Sequence, residues 1–217
     1  MNDFYSQLHE IFNSSKRFYF PFDNDLKKIP LNGIYVLFEN GEKFKNLDRI
    51  VRIGTHTGQN QLRSRLLQHF VKENKNRSIF RKNIGRAILN RDRNPYLTIW
   101  ELDTTSRIEK VKNGHLIDKL LEIELEKQIS KYIQDNLSFT VFEVQDKNKR
   151  LFWESRLIST LALSNEINIS NNWLGKFSPK DKICKYGLWQ VNELFNNTLD
   201  LSELEILSGQ IFNNTST

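Results

Sequence analysis

A phenol, two guanidinium groups, an imidazole and a carboxylate stand at positions in this chain where packing alone does not call for them. Tyr35 lies in the apolar run GIYVLF (33–38), and Arg52 lies in RIVRIG (49–54). Side chains on a strand alternate faces with period two, so Ile34, Val36 and Phe38 share one face, Val51 and Ile53 share another, and both sets are expected to line one core. Tyr35 and Arg52 then project together from the opposite face, beside Gly33 and Gly54, which leave room for an approaching group. That arrangement reads as the wall of a site; the alternative is an amphipathic hairpin with a wet outer face. In QLRSRLLQHF (61–70), Arg65 and His69 are four residues apart and align along the edge of a helix whose stripe is Leu62, Leu66, Leu67 and Phe70. An arginine lying along the surface and a packing histidine would give the same pattern.

The sharpest signal comes from KNKRLFWESRLISTLALSN (147–165). On a helical wheel Leu151, Leu157, Ile158 and Leu161 surround Glu154, which puts a carboxylate among apolar side chains. Such a group needs a cation or hydrogen-bond donors. Asn165, eleven residues on, falls on the same line if the helix persists that far. A salt bridge to a core arginine is the structural alternative, and Glu126, near Ile123, Ile129 and Ile133, raises the same question.

These groups need elements to hold them. An N-terminal helix is expected over 3–13, then a loop with Pro21 and Pro30, the hairpin, and helices at 61–73 and 78–90. The stretch 91–114 is polar, with YLTIWEL either a short strand or a packed loop. A long helix is expected from about 116 to 134, a third strand at 138–144, and a last helix carrying Glu154. The expected architecture is α/β of the α+β kind: a small three-stranded, mainly antiparallel sheet flanked by helices. It divides into an N-terminal helical extension (1–30), a central domain (31–170) with a helical insertion at about 91–136, and a C-terminal extension (171–217) packed on that domain. The tail's Trp173 and Trp189 are expected to pack, with base stacking as the alternative.

Composition narrows the class. With 217 residues and 38% hydrophobic content the chain is globular, large enough for one sizeable core. No apolar run approaches a membrane span and the N-terminal charges are scattered, so the protein is expected to be soluble and cytoplasmic, with no membrane partner. A single cysteine, Cys184, allows no internal disulfide. The formal charge of +6 is concentrated between Arg63 and Arg93, where ten basic residues face only Glu73 and Asp92, a surface expected to attract a polyanion.

The order Gly33-Ile34-Tyr35, then Arg52-Ile53-Gly54, then Arg65 and His69, then a third strand followed by Glu154, Leu157 and Ile158 resembles the GIY-YIG nuclease superfamily over about residues 31–168. RIGTH (52–56) stands in place of the YIG motif, similar to a less-described subgroup, and the loop between Tyr35 and Arg52 is longer than the usual spacer. The resemblance implies a metal-dependent endonuclease that hydrolyses phosphodiester bonds of nucleic acid, DNA before RNA. In that reading Glu154 binds Mg²⁺ or Mn²⁺, Tyr35 orients or deprotonates the attacking water, and Arg65, with Arg52, stabilises the transition state. His69 supports them, Asn165 fixes the phosphate or a metal-bound water, and His56 is a candidate for proton transfer or a turn residue without a role. A phenol of ordinary pKa near 10 is only about 0.1% ionised at neutral pH, so Tyr35 needs the positive charge its neighbours offer. The alternative is a catalytically inactive nucleic-acid-binding module on the same scaffold, with Arg52 in place of the tyrosine as its cause. A third reading makes Tyr35, Arg65 and Glu154 a buried structural network.

Overall fold

The computed structural model describes residues 4–164 and 166–213. In chain order the elements are α1 (Phe4–Asn13), β1 (Phe18–Tyr19), β2 (Gly33–Phe44), β3 (Leu47–Gly54), α2 (Leu62–Phe70), α3 (Ile79–Arg91), α4 (Leu97–Trp100), α5 (Arg107–Asn113), α6 (Lys119–Asn136), β4 (Leu137–Glu143), α7 (Lys147–Ala162), α8 (Asp181–Tyr186) and α9 (Leu201–Asn213). The strands form one antiparallel sheet in the order β1-β4-β2-β3, so the expected three-stranded sheet gains a two-residue fourth strand at the edge of β4. YLTIWEL, expected as a short strand or a packed loop, instead contributes the single helical turn α4, and the polar C-terminal end forms α9. No described helix is long and apolar enough to cross a membrane.

Helix starts follow local chemistry. Ser78 caps α3 by accepting from the Arg81 amide at 3.2 Å, Asp118 caps α6 through the Leu120 and Leu121 amides, and Asp146 caps α7 through Lys149. Gly187 closes α8 in the left-handed conformation, φ +63°, as glycine does at low cost.

Neither face of the sheet is wet. One carries Ile34, Val36, Phe38, Ile50 and Ile53 against α1, α7 and α9; the other carries Tyr35, Leu37 and Val51 against α2, α3 and α6. The separation of Val51 from Ile53 departs from strict alternation. Pairing runs Leu37 with Arg52 but Phe38 with Ile50, so β3 holds one extra residue there and Val51 turns to the Tyr35 side.

The run of basic residues is also reorganised by folding. Arg81 is fully buried and pairs with Glu126 at 2.6 Å, Lys75 pairs with Glu122 at 2.5 Å, and Arg86 pairs with Glu101 at 2.5 Å. The acids lie up to 47 residues downstream in sequence, on α6 and the turn after α4, so the local excess of charge is partly neutralised in space.

Candidate functional site

Tyr35 sits in the centre of the sheet, opposite Gly54 on β3, and is 1% exposed. Its hydroxyl lies 2.8 Å from His69 Nε2 and 3.4 Å from Arg52 Nε. Arg52 faces Leu37, two residues along the same face, which is how the period-two pattern brings phenol and guanidinium together. The space beside the two glycines is not open: a Cβ on Gly54 would fall 2.1 Å from the Tyr35 hydroxyl, and one on Gly33 would fall 2.3 Å from the Phe142 carbonyl oxygen. The glycines admit the tyrosine and a neighbouring strand, not a ligand.

His69 is fully buried, and its other nitrogen, Nδ1, is 2.7 Å from Ser78 Oγ. Burial, and then the charges of Arg65, Arg52 and Arg81, hold its pKa well below the usual imidazole value. The ring is therefore neutral at neutral pH. Because the Arg52 Nε–H points at the phenol oxygen, the surrounding donors assign the Tyr35 O–H to His69 Nε2 and the His69 Nδ1–H to Ser78 Oγ.

Arg52 is buried without an acidic partner among the described residues. Its Nη1 donates to the Trp189 carbonyl, and its guanidinium lies over the Phe80 ring at 5.0 Å. Arg65, half-buried on α2, donates to Gln68 Oε1 at 3.1 Å and to the Arg77 carbonyl at 3.0 Å. A cavity of about 270 Å³ opens beside it, lined by Thr55, His56, Thr57, Gln61, Ser64, Arg65 and Gln68. A larger cavity of about 810 Å³ lies between α1 and α9 and contains none of the site residues.

Glu154 projects from α7 to the end of β3, where its Oε1 accepts from the Thr55 amide at 3.0 Å. It is half-buried; Leu157, Ile158 and Leu161 are buried as the wheel predicted, but Leu151 is exposed, and Trp153 and Arg150 take its place on the inner face. Burial raises the pKa of Glu154 most, the Thr55 amide and Arg52 lower it, Glu193 raises it and Arg65 lowers it. Its carboxylate therefore lies within electrostatic reach of both arginines, yet neither forms an ion pair with it. Glu126 differs: Arg81 binds its Oε2 and the Lys75 amide its Oε1, which makes it the structural salt bridge.

Tyr35, Arg52, His69, Arg65 and Glu154 are thus gathered around the end of β3. His56 lies next to them but is bound to backbone on both sides: its Nε2 accepts from the Gly33 amide at 3.3 Å and its Nδ1–H donates to the Gly58 carbonyl at 2.7 Å. Burial lowers its pKa. Asn165 lies outside the described residues, and α7 ends at Ala162, short of it. The sequence did not single out Thr55, whose amide holds Glu154, or Ser78, whose hydroxyl holds His69. All four tryptophans are buried, so none offers a face for base stacking.

The donor set bears on what cation could bind. Among the described residues no group of three or more His, Cys, Asp or Glu side chains converges, which is unlike a tetrahedral zinc site. Glu154 has one oxygen on a backbone amide and no cationic partner among the described residues. A hard ion that keeps several waters and takes one carboxylate plus substrate oxygens fits such a site.

Compared with known protein families, residues 1–217 match the GIY-YIG domain. Searches among curated proteins and among solved structures gave no match.

Proposed function

Because the chain belongs to the GIY-YIG domain family, whose chemistry is nuclease chemistry, we propose that it is a metal-dependent endonuclease acting on nucleic acid, DNA before RNA. The observation that carries this reading is the placement of the unpaired Glu154 carboxylate at the end of the strand that presents Arg52 to Tyr35. In a purely structural network Glu154 would be expected to take one of the two arginines within its reach.

A divalent cation held by Glu154, Mg²⁺ or Mn²⁺, would supply positive charge at the scissile phosphate and at the departing 3′ oxygen. Tyr35 orients the attacking water and receives its proton as its own passes to His69 Nε2, which the neutral imidazole is free to accept. Arg52, on the phenol oxygen, stabilises the partial negative charge that this oxygen carries while its own proton leaves and the water's proton arrives. Arg65 at the cavity stabilises the charge that builds on the phosphorane oxygens. Asn165, chosen for its helical spacing from Glu154, is carried as a phosphate or water ligand on the sequence alone. His56, with both ring nitrogens engaged, fits a role in shaping the loop after β3 better than proton transfer.

The test is nicking of supercoiled plasmid with Mg²⁺ or Mn²⁺ by the wild type and by Glu154→Gln. The wild type is expected to relax the plasmid, and the variant to bind it in a mobility-shift assay without cutting. Equal cutting by both would remove Glu154 from the site. Binding without cutting by the wild type would favour the inactive module.

A further inference from the structure

The C-terminal segment meets β3 at three consecutive residues. The Trp189 amide donates to the Val51 carbonyl at 2.8 Å, the Trp189 carbonyl accepts from Arg52 Nη1, and Gln190 Oε1 accepts from the Ile53 amide at 2.9 Å. The backbone is thus fixed on both sides of Arg52 while the guanidinium is held between. Gln190 is turned tightly against Leu188, its amide donating to that carbonyl at 2.6 Å, and the Trp189 indole is anchored on the buried Glu39 at 2.8 Å.

We propose that Trp189 and Gln190 are positioning residues of the nuclease site, holding Arg52 on the Tyr35 hydroxyl and off Glu154. The proposal rests on the nuclease reading above. An arginine has a long stem and five donors, so burial alone does not choose its partner. Glu154, held on the Thr55 amide three residues along the chain from Arg52, is the neighbouring anion that an unrestrained guanidinium would seek. Pairing there would take the positive charge from the phenol and would occupy the carboxylate needed for the cation. Trp189 supplies a neutral acceptor that satisfies Arg52 without neutralising it, and Phe80 supplies a face for it to lie on. The Trp189 and Gln190 contacts bridge 137 residues of sequence, so the site is incomplete without the tail.

Variants of the tail read by kinetics and by NMR test this. Gln190→Met keeps the volume and removes the acceptor for the Ile53 amide. Trp173→Phe removes a different indole donor from Glu39 without touching Arg52. The measurements are kcat and KM for plasmid nicking and the NMR signal of the Arg52 Nε–H, assigned by its loss in Arg52→Lys. In Gln190→Met, kcat is expected to fall about tenfold or more with KM within about twofold, and the Nε–H to lose its protection from exchange. Trp173→Phe should lower Tm and move neither. A wild-type Nε–H signal and kcat in Gln190→Met, or equal changes in Trp173→Phe, would overturn the proposal. Absence of nicking by the wild type would refute the nuclease reading, and the Nε–H signal would still decide whether the clamp exists.

Discussion

The Tyr35 hydroxyl occupies the space that a side chain on Gly54 would fill, with the nearest approach only 2.1 Å from an added Cβ. The glycine of the second motif is therefore a steric requirement of the tyrosine in the first, imposed by their direct pairing across two strands. Gly54→Ala is expected to push the phenol off its contacts with His69 and Arg52. The cost should be about 1–3 kcal/mol of stability with loss of cleavage. Urea unfolding and plasmid nicking measure the two effects.

Tyr35→Phe keeps the ring and removes only the hydroxyl that joins His69 to Arg52. Cleavage should fall on the order of a hundredfold or more with substrate binding retained. Single-turnover kinetics beside a mobility-shift titration separate the two; unchanged turnover would exclude the phenol from proton transfer.

His69 gives stability a sign with pH. Its folded pKa lies below its unfolded value of about 6.5, so the folded state prefers the neutral ring. That contribution is fully present above the unfolded pKa and is lost as pH falls from there through the folded pKa. The carboxyl groups of Glu39, Glu126 and Glu154, raised by burial, act in the opposite sense, their contribution growing as pH falls through the raised values toward the unfolded ones. The difference between wild type and His69→Gln isolates the histidine. Between pH 7 and pH 5 the wild type is expected to lose more stability in urea than the variant does.

Glu126 and Glu154 should separate cleanly. Glu126→Ala leaves the fully buried Arg81 without its acid and is expected to cost about 3–5 kcal/mol. Glu154→Gln should cost little stability and abolish cutting. Chelation should abolish cutting without lowering Tm, because a single carboxylate does not build a structural metal site. A fall in Tm on adding a chelator would point to a different cation site.

Salt dependence of substrate binding should be shallower than ten basic residues suggest. Arg81, Lys75 and Arg86 are engaged by Glu126, Glu122 and Glu101, whereas Arg77 is exposed next to Arg65. Arg77→Ala is expected to reduce the slope of log K against log[salt] by about one unit on duplex DNA. Binding measured by anisotropy at several salt concentrations gives the slope directly.

The residues that sequence placed correctly are those governed by local periodicity. Alternation put Tyr35 and Arg52 on one face, whereas helical spacing set His69 on the edge of α2 and the structure buries it fully. What it missed depends on contacts far along the chain. The extra residue that turns Val51 away from Ile53 is a property of the β2–β3 register, not of either strand. The neutralisation of Arg81 requires α6 to pack on α3, which no pattern within 63–93 encodes. The exposure of Leu151 and the burial of Arg150 reflect how far α7 rotates over the sheet, beyond the resolution of a wheel. The clamp on Arg52 lies in stretches of the tail whose aromatic content was visible and whose partner was not.

The outward-facing groups at Val51 and Ile53 of β3, and at Thr55 just beyond it, are taken in turn by Trp189, Gln190 and Glu154. A strand at the margin of a sheet otherwise offers a template on which a foreign chain can add itself, the first step toward fibrils. Here the protein's own tail fills that template, so shortening the chain before residue 188 should yield material that self-associates as well as material that fails to cut.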